Sequence, residues 1–321
     1  MFFIVLSIFA ISNIKLYNMK EQNKFNVSFY KTGEDEIMPF VEIKFQGKDN
    51  KIYKALMLMD SGSCVNTLSA EMRSFIEDND WLPEESDNVV SLDNKESNHP
   101  CAKFQYVMDG YMFQEKFLVF DDMHVMQVGD RMLIGILGTR FMQQYHLAID
   151  YEQMSLHISD LTLQDLQKKQ CDLIIPIEYG LRYYNGPILK IRGDKRDAIA
   201  YVDTGSDSVS ISRAAIEECG LSYKITVDEH SVLGANGNVG AQVCELDFRI
   251  ADHFGNDIGM ISYNEEVYIL PHSYNVTEVG ECDDDGNLLH PIEGMIGSPF
   301  IAKQKWILDF CAKAIYKYKS T

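Results

Sequence analysis

The sequence predicts a mainly β chain built as two similar lobes. Three observations predict it. A four-residue phrase occurs twice, Asp60-Ser61-Gly62-Ser63 and Asp203-Thr204-Gly205-Ser206, each at the end of an apolar run. The β-like segments around both copies follow one order, beginning with the period-two alternation of Pro39 to Gly47 and its match Pro187 to Gly193. A second phrase, two hydrophobic residues, Gly and then Phe, closes each half at Gly138 and at Gly297. At average composition a phrase like the first arises by chance in about one chain of this length in fifty. Two copies with matching flanks therefore read as an internal duplication.

The elements follow in order. Pro39 to Gly47 alternates as a half-buried strand closed by a glycine turn. Lys51 to Met59 is the next strand and delivers Asp60 at its end. Ser69 to Asp80 reads as a short helix with Ser69 as N-cap. Val89 to Leu92, the polar turn Asp93-Asn94-Lys95, and Ala102 to Val107 form a hairpin, and Tyr111 to Phe120 a further strand. Met132 to Phe141 carries the glycine phrase and leads to strands Leu147–Asp150 and Ser155–Ile158.

The second half repeats this. Pro187 to Gly193 matches the first strand, Arg196 to Val202 delivers Asp203, and Arg213 to Cys219 is a short helix stopped by Gly220. Val232 to Val239 is a hairpin with an Asn-Gly turn. Val267 to Leu270, Gly294 to Phe300 and Ile307 to Asp309 match Phe117 to Phe120, Gly135 to Phe141 and Ala148 to Asp150. The halves are offset by 143 residues at the aspartates and by 159 at the glycines; the loop Pro271 to Glu293 absorbs the difference. The expected division is an apolar N-terminal segment 1–18, a first lobe 19–165 and a second lobe 166–321, with the boundary in the polar stretch Leu161 to Cys171. The stretch Lys20 to Met38 reads as a linker or edge element.

Composition excludes several functions. A formal charge of −19 leaves nothing to offset phosphate repulsion, so no nucleic-acid partner is expected. No apolar stretch reaches the roughly 20 residues of a membrane-spanning helix. Phe2 to Ile11 has the length of a signal-peptide core, although no positive residue precedes it; export is expected, and the competing reading starts the chain at Met19. Seven scattered cysteines and eight dispersed histidines offer no zinc spacing and no HExxH, so no metal or other cofactor is expected. Asp283-Asp284-Asp285-Gly286-Asn287 is similar to a calcium loop, but its twelfth position is Ile292 rather than Glu, and it reads as a solvated turn.

An aspartate at the end of a buried strand, followed by Ser or Thr and Gly, has a specific use. The strand fixes the carboxylate, the hydroxyl locks the loop, and the glycine lets another backbone approach. Two such loops joined by pseudo-twofold symmetry place two carboxylates side by side; they share a proton, so one can act as base on a water while the other acts as acid.

The phrase hydrophobic-hydrophobic-Asp-Ser/Thr-Gly-Ser, with the later Ile136-Leu137-Gly138-Thr139-Arg140-Phe141 and Met295-Ile296-Gly297-Ser298-Pro299-Phe300, resembles the aspartic proteases. The spacing is most similar to the retropepsin-like branch, as two such units fused in one chain; the likeness covers about Pro39 to Tyr318. The resemblance implies a bilobal pepsin-like acid protease fold of two retropepsin-like β-barrel lobes with short helices. It implies an endopeptidase acting on polypeptide, monomeric in its catalytic unit. Asp60 and Asp203 would be the catalytic pair, Ser61 and Thr204 an interlock beneath them, and Gly62 and Gly205 the shapers of the loops. Ser63 and Ser206 would bond the outer carboxylate oxygens, and Gly138 and Gly297 would sit behind the site. The hairpin around Gly234, Asn236 and Gly237 is the better flap candidate and Val90 to Asn98 the poorer, and no pepsin-like flap tyrosine is in place. The competing class is a catalytically inactive binding or scaffold protein that keeps this fold.

Overall fold

A computed structural model of the chain describes residues 15–16, 25–33, 37–90, 96–121, 123–169, 171–179, 187–234, 237–254, 257–271 and 292–319. It is mainly β, with two six-stranded β-barrels and, among the described residues, four short α-helices. Round the first barrel the strands are Phe40–Gln46, Ile52–Met59, Arg131–Leu137, Thr67–Ser69, Tyr111–Phe120 and Glu96–Met108, which pairs again with Phe40–Gln46. Round the second they are Pro187–Arg192, Asp197–Asp203, Gly294–Gly297, Val209–Ser212, Asp257–Leu270 and Gly237–Phe254, which pairs again with Pro187–Arg192. The two rings have the same order, so the repeat read in the sequence is a repeat of topology.

Amphipathic pattern explains which strands face solvent. Phe40–Gln46 buries Val41, Ile43 and Phe45 and exposes Lys44 and Gln46, as a barrel wall with one wet face does. The second strand starts exposed at Ile52 and is buried on both faces from Ala55 to Met59. It enters the molecular centre, between Phe40–Gln46 and the parallel strand Arg131–Leu137, and so needs apolar side chains on both sides.

A third sheet takes three strands from each half, in the order Cys171–Pro176, Ala314–Tyr318, Ile307–Asp309, Leu147–Asp150, Ser155–Ile158 and Asn26–Ser28. At its centre Ala148, Ile149 and Asp150 pair antiparallel with Asp309, Leu308 and Ile307, equivalent residues of the two halves running past each other. The pairing makes the pseudo-twofold axis part of the hydrogen-bonded backbone. The carboxylates of Asp150 and Asp309 cap the turns that follow, each accepting two backbone N–H bonds at 2.8–2.9 Å.

Three expectations change. The segment 69–80 is two 3₁₀ turns, Ala70–Ser74 and Asp78–Asp80, rather than one helix. Ser69 does cap the first, accepting from the Glu71 N–H, but the Phe75 carbonyl is taken by the Lys48 N–H at 2.7 Å and its ring packs edge-on against Tyr53, which draws the chain out of helical register. Of the two readings of 20–38, the edge element holds for residues 25–29: Phe25, Val27 and Phe29 are buried and Asn26–Ser28 is the edge strand of the third sheet. The polar stretch between the halves contains a helix, Leu163–Lys168, held by a capping box between Thr162 and Asp165. Each hairpin is longer than its sequence signal: Trp81–Val90 with Glu96–Met108, and Ser222–Gly234 with Gly237–Phe254. The apolar segment 1–11, the Asp93 to Lys95 turn, Asn236, Cys282, the acidic Asp283 to Asn287 turn and most of the loop 271–293 lie outside the described residues. No described helix is long and apolar enough to cross a membrane.

Candidate active site

Each half presents its aspartate by the same device. Ile52–Met59 ends at Asp60, the chain loops, and it returns as Thr67–Ser69. Arg131–Leu137 lies between those two strands, parallel to the first and antiparallel to the second, so its end closes the loop from behind. In the second half Gly294–Gly297 lies in the same way between Asp197–Asp203 and Val209–Ser212, with Gly297 paired to Asp203 itself. Gly138 and Gly297 are small because the loop carbonyls fill the space where a side chain would start. A Cβ at Gly138 would lie 2.7 Å from the Ser63 oxygen, and one at Gly297 2.7 Å from the Ser206 oxygen.

The two loops meet across the pseudo-twofold axis. The Ser61 N–H donates to Thr204 Oγ1 and the Thr204 N–H donates to Ser61 Oγ, both at 2.9 Å. The Ser61 hydroxyl donates to the Val202 carbonyl and the Thr204 hydroxyl to the Met59 carbonyl, both at 2.6 Å. Both side chains are buried, and each hydroxyl satisfies a donor and an acceptor of the opposite lobe. Above this interlock the glycines cross over: a Cβ at Gly62 would stand 2.5 Å from the carboxyl atoms of Asp203, and one at Gly205 2.5 Å from the carboxyl carbon of Asp60. Only a residue without a side chain lets each carboxyl lie against the other lobe's loop.

The two carboxyls lie side by side, each against the other lobe's glycine, and each acts on the other's proton affinity. Asp60 Oδ1 accepts from the Gly62 N–H at 2.7 Å and Asp203 Oδ1 from the Gly205 N–H at 2.8 Å. Burial pushes the Asp60 carboxyl above the ordinary carboxylate value; burial, then the neighbouring Asp60 charge, pushes Asp203 well above it. Backbone N–H groups oppose the shift in both. Two carboxyls side by side in one donor-rich, largely desolvated place retain one proton between them over a range where isolated aspartates are fully ionised.

The structure thus brings together Asp60, Ser61, Gly62, Asp203, Thr204 and Gly205, with Gly138 and Gly297 behind. Ser63 and Ser206 need a correction. Their hydroxyls donate within their own loops, to the carbonyls of Val65 at 2.8 Å and Ser208 at 3.2 Å, instead of to the outer carboxylate oxygens. The tight turn after each aspartate offers a carbonyl two residues on, a nearer partner than the carboxyl. Gly234 and Gly237 form the closing ladder pair of the second-lobe hairpin, 31 and 34 residues past Asp203. The first-lobe hairpin closes with Val90 and Glu96, 30 and 36 residues past Asp60, so the two hairpins hold equivalent places along their halves.

Sequence reasoning missed Asn66, whose buried side-chain oxygen accepts the Gly138 N–H at 3.0 Å. It also missed Tyr151 and Ser298, which lie beneath the dyad and bond to each other at 2.6 Å. Ser298 stood in the quoted glycine phrase, where Thr139 occupies the equivalent place. Among the described residues no group of three His, Cys, Asp or Glu side chains could hold a metal ion. The arrangement can bind a water between two carboxyls of unequal protonation and move a proton in each direction. Compared with known families and curated proteins, the chain matches no family model and no curated protein sequence.

Proposed function

We propose that the chain is an aspartic endopeptidase, with Asp60 and Asp203 as its catalytic pair and no cofactor. The observation that carries this reading is the pair of side-by-side carboxyls seated on a symmetric hydroxyl interlock, one carboxyl from each lobe. The ionised carboxylate takes a proton from a water held between the two groups as the water attacks a peptide carbonyl. The protonated carboxyl donates to the carbonyl oxygen. The tetrahedral product of that attack then breaks its C–N bond as a carboxyl proton passes to the leaving nitrogen. No bond forms between enzyme and substrate. Two long hairpins at equivalent places in the two rings of strands suit a substrate bound as an extended chain between lobes.

The scaffold reading needs no shared proton, and a pair of carboxyls desolvated against each other is a costly feature for a scaffold to keep. The test is hydrolysis of a mixed peptide library by purified protein from acidic to neutral pH. Wild type is expected to cleave, with Asp60→Asn and Asp203→Asn each reduced at least about 10³-fold. Equal activity in wild type and Asp203→Asn overturns the reading.

A further inference from the structure

The pseudo-twofold axis relates Tyr151 to Phe310 and Ser298 to Thr139. Their backbones confirm the match: the Tyr151 N–H donates to the Trp306 carbonyl at 3.1 Å and the Phe310 N–H to the Leu147 carbonyl at 3.0 Å. The Thr139 N–H donates to the Ser63 carbonyl and the Ser298 N–H to the Ser206 carbonyl, both at 2.8 Å. Their side chains differ. The Ser298 hydroxyl donates to the Thr204 carbonyl at 2.7 Å. A hydroxyl has one hydrogen, so in the 2.6 Å bond between Tyr151 and Ser298 the phenol is the donor. A directed chain therefore runs from Tyr151 through Ser298 into the Thr204–Gly205 peptide, and all of it is buried but the half-buried Gly205. On the other side Phe310 has no hydroxyl, and the buried Thr139 hydroxyl has no hydrogen-bond partner among the described residues.

We propose that Tyr151 and Ser298 are positioning residues that stabilise the ionised form of the carboxyl pair from one side only, by polarising the Thr204–Gly205 peptide. The carbonyl they load belongs to the same amide as the Gly205 N–H, which donates to Asp203 and also acts on Asp60. A donor bonded to an amide oxygen makes that amide's N–H a stronger donor. Among the described residues, the groups acting on the two carboxyls are each other, the N–H groups of Gly62, Ser63 and Gly205, and the Tyr151 phenol beneath them, which both carboxyls influence. The kinetic consequence rests on the pair being catalytic; the titration does not.

The experiment is a ¹³C-carboxyl NMR titration of aspartate-labelled protein, with the pair assigned through Asp60→Asn and Asp203→Asn. Replacing both hydroxyl carriers, Tyr151→Phe with Ser298→Ala, leaves no side-chain donor unpaired and is expected to raise the lower of the pair's two steps by about 0.2–0.5 pH units. Tyr151→Phe alone keeps the Ser298 bond, is the milder change for folding, and is expected to move the step the same way by less. Thr139→Ala is expected to leave both steps in place. Unmoved steps in the Tyr151→Phe and double variants, or an equal shift in Thr139→Ala, overturn the proposal. The acidic limb of the peptidase pH profile is read beside it. A moved step without any hydrolysis supports the chain and sinks the proposed function, while hydrolysis with unmoved steps does the reverse.

Discussion

Replacing Thr204 by Val tests the interlock with almost no change of shape. The hydroxyl it removes accepts the Ser61 N–H at 2.9 Å and donates to the Met59 carbonyl at 2.6 Å. Both groups belong to the first lobe, and the site is fully buried. The new methyl excludes water, so one N–H and one C=O are left without partners. Each orphaned buried group costs about 1–3 kcal/mol, which sums to about 2–6 kcal/mol. For a chain of this size that corresponds to a fall in Tm of about 3–9 °C. The reciprocal bonds from Ser61 to Val202 and Thr204 survive, so the lobes stay joined and the variant folds. Scanning calorimetry measures the loss, and peptide hydrolysis the displacement of the dyad, expected at about 10-fold or more in kcat. Thr204→Ser keeps the hydroxyl and is expected to stay within about 1 kcal/mol of wild type, less a small term for the lost methyl. A Thr204→Val protein that melts within 1 °C of wild type with normal kcat would refute the claim that these bonds fasten the two halves of the site.

Three further outcomes follow from the coordinates. Gly205→Ala puts a methyl 2.5 Å from the Asp60 carboxyl carbon, and either the loop or the carboxyl must move; stability is expected to fall by about 1–3 kcal/mol and hydrolysis to be lost, read by calorimetry and a peptide assay on one preparation. Arg196 binds the buried Glu293 carboxylate through two nitrogens, at 2.5 and 2.9 Å, and the exposed Glu218 at 2.6 Å. Arg196→Leu, which strands a buried carboxylate, is expected to cost about 3 kcal/mol in urea unfolding, whereas Glu218→Ala costs under about 0.5 kcal/mol. Asp60, Asp150, Asp203 and Asp309 are all raised in the fold, chiefly by burial. A raised carboxyl adds stability that is complete below its unfolded value of about 4 and is lost as pH rises through its folded value. The protein is therefore expected to unfold at higher urea at pH 4 than at pH 7. Asp203→Asn should flatten that slope by stabilising the neutral end, and an unchanged slope would contradict the assignment. The lowered carboxyls Asp49, Asp130 and Asp165 work in the opposite sense but are screened by solvent, and the half-buried Glu42, held down by Arg131 and Lys54, offsets part of the difference.

What was legible in the sequence was whatever repeats. The order of elements, which recurs in the second half, placed Tyr111–Phe120 and Leu147–Asp150 to the residue, although Leu147–Asp150 is buried throughout and shows no alternation. The duplicated phrase located both carboxyls, since no local structure needs Asp-Ser/Thr-Gly-Ser twice at strand ends. The rest depended on contacts distant in the chain. Phe25-Asn26-Val27-Ser28-Phe29 has the alternation of a strand, but it is short and stands alone; only its partner Ser155–Ile158 makes it one. The hydroxyls of Ser63 and Ser206 had two acceptors within reach, and which one wins is a matter of turn geometry. Glu293 looked like a loop end, and the arginine that makes it a buried anchor lies 97 residues away. Tyr151 carries no signal at all: it follows a strand, as Phe310 does, and only the position of Ser298 across the axis gives its hydroxyl a task.

The comparison of the two halves separates what the site needs twice from what it needs once. The interlock is the same in both directions to 0.1 Å, at 2.9 Å for the N–H bonds and 2.6 Å for the hydroxyl donors. Placing two carboxyls at equal depth on one axis is a symmetric problem, and a symmetric solution leaves neither loop able to shift without the other. Moving a proton from one carboxyl to the other is a different problem. A pair with identical surroundings has two equal protonation states and no preferred direction. Any bias has to come from groups that break the axis yet stay close to it, where low dielectric gives a single hydrogen bond its full effect. Ser298 and Tyr151 satisfy both conditions: they are buried under the dyad and their counterparts, Thr139 and Phe310, are silent. Differences further out, such as the Arg196–Glu293 pair of the second lobe, anchor a segment without touching the carboxyls. Substitution at the interlock should therefore change stability and rate together, whereas substitution in the hydroxyl chain should move the pH profile first.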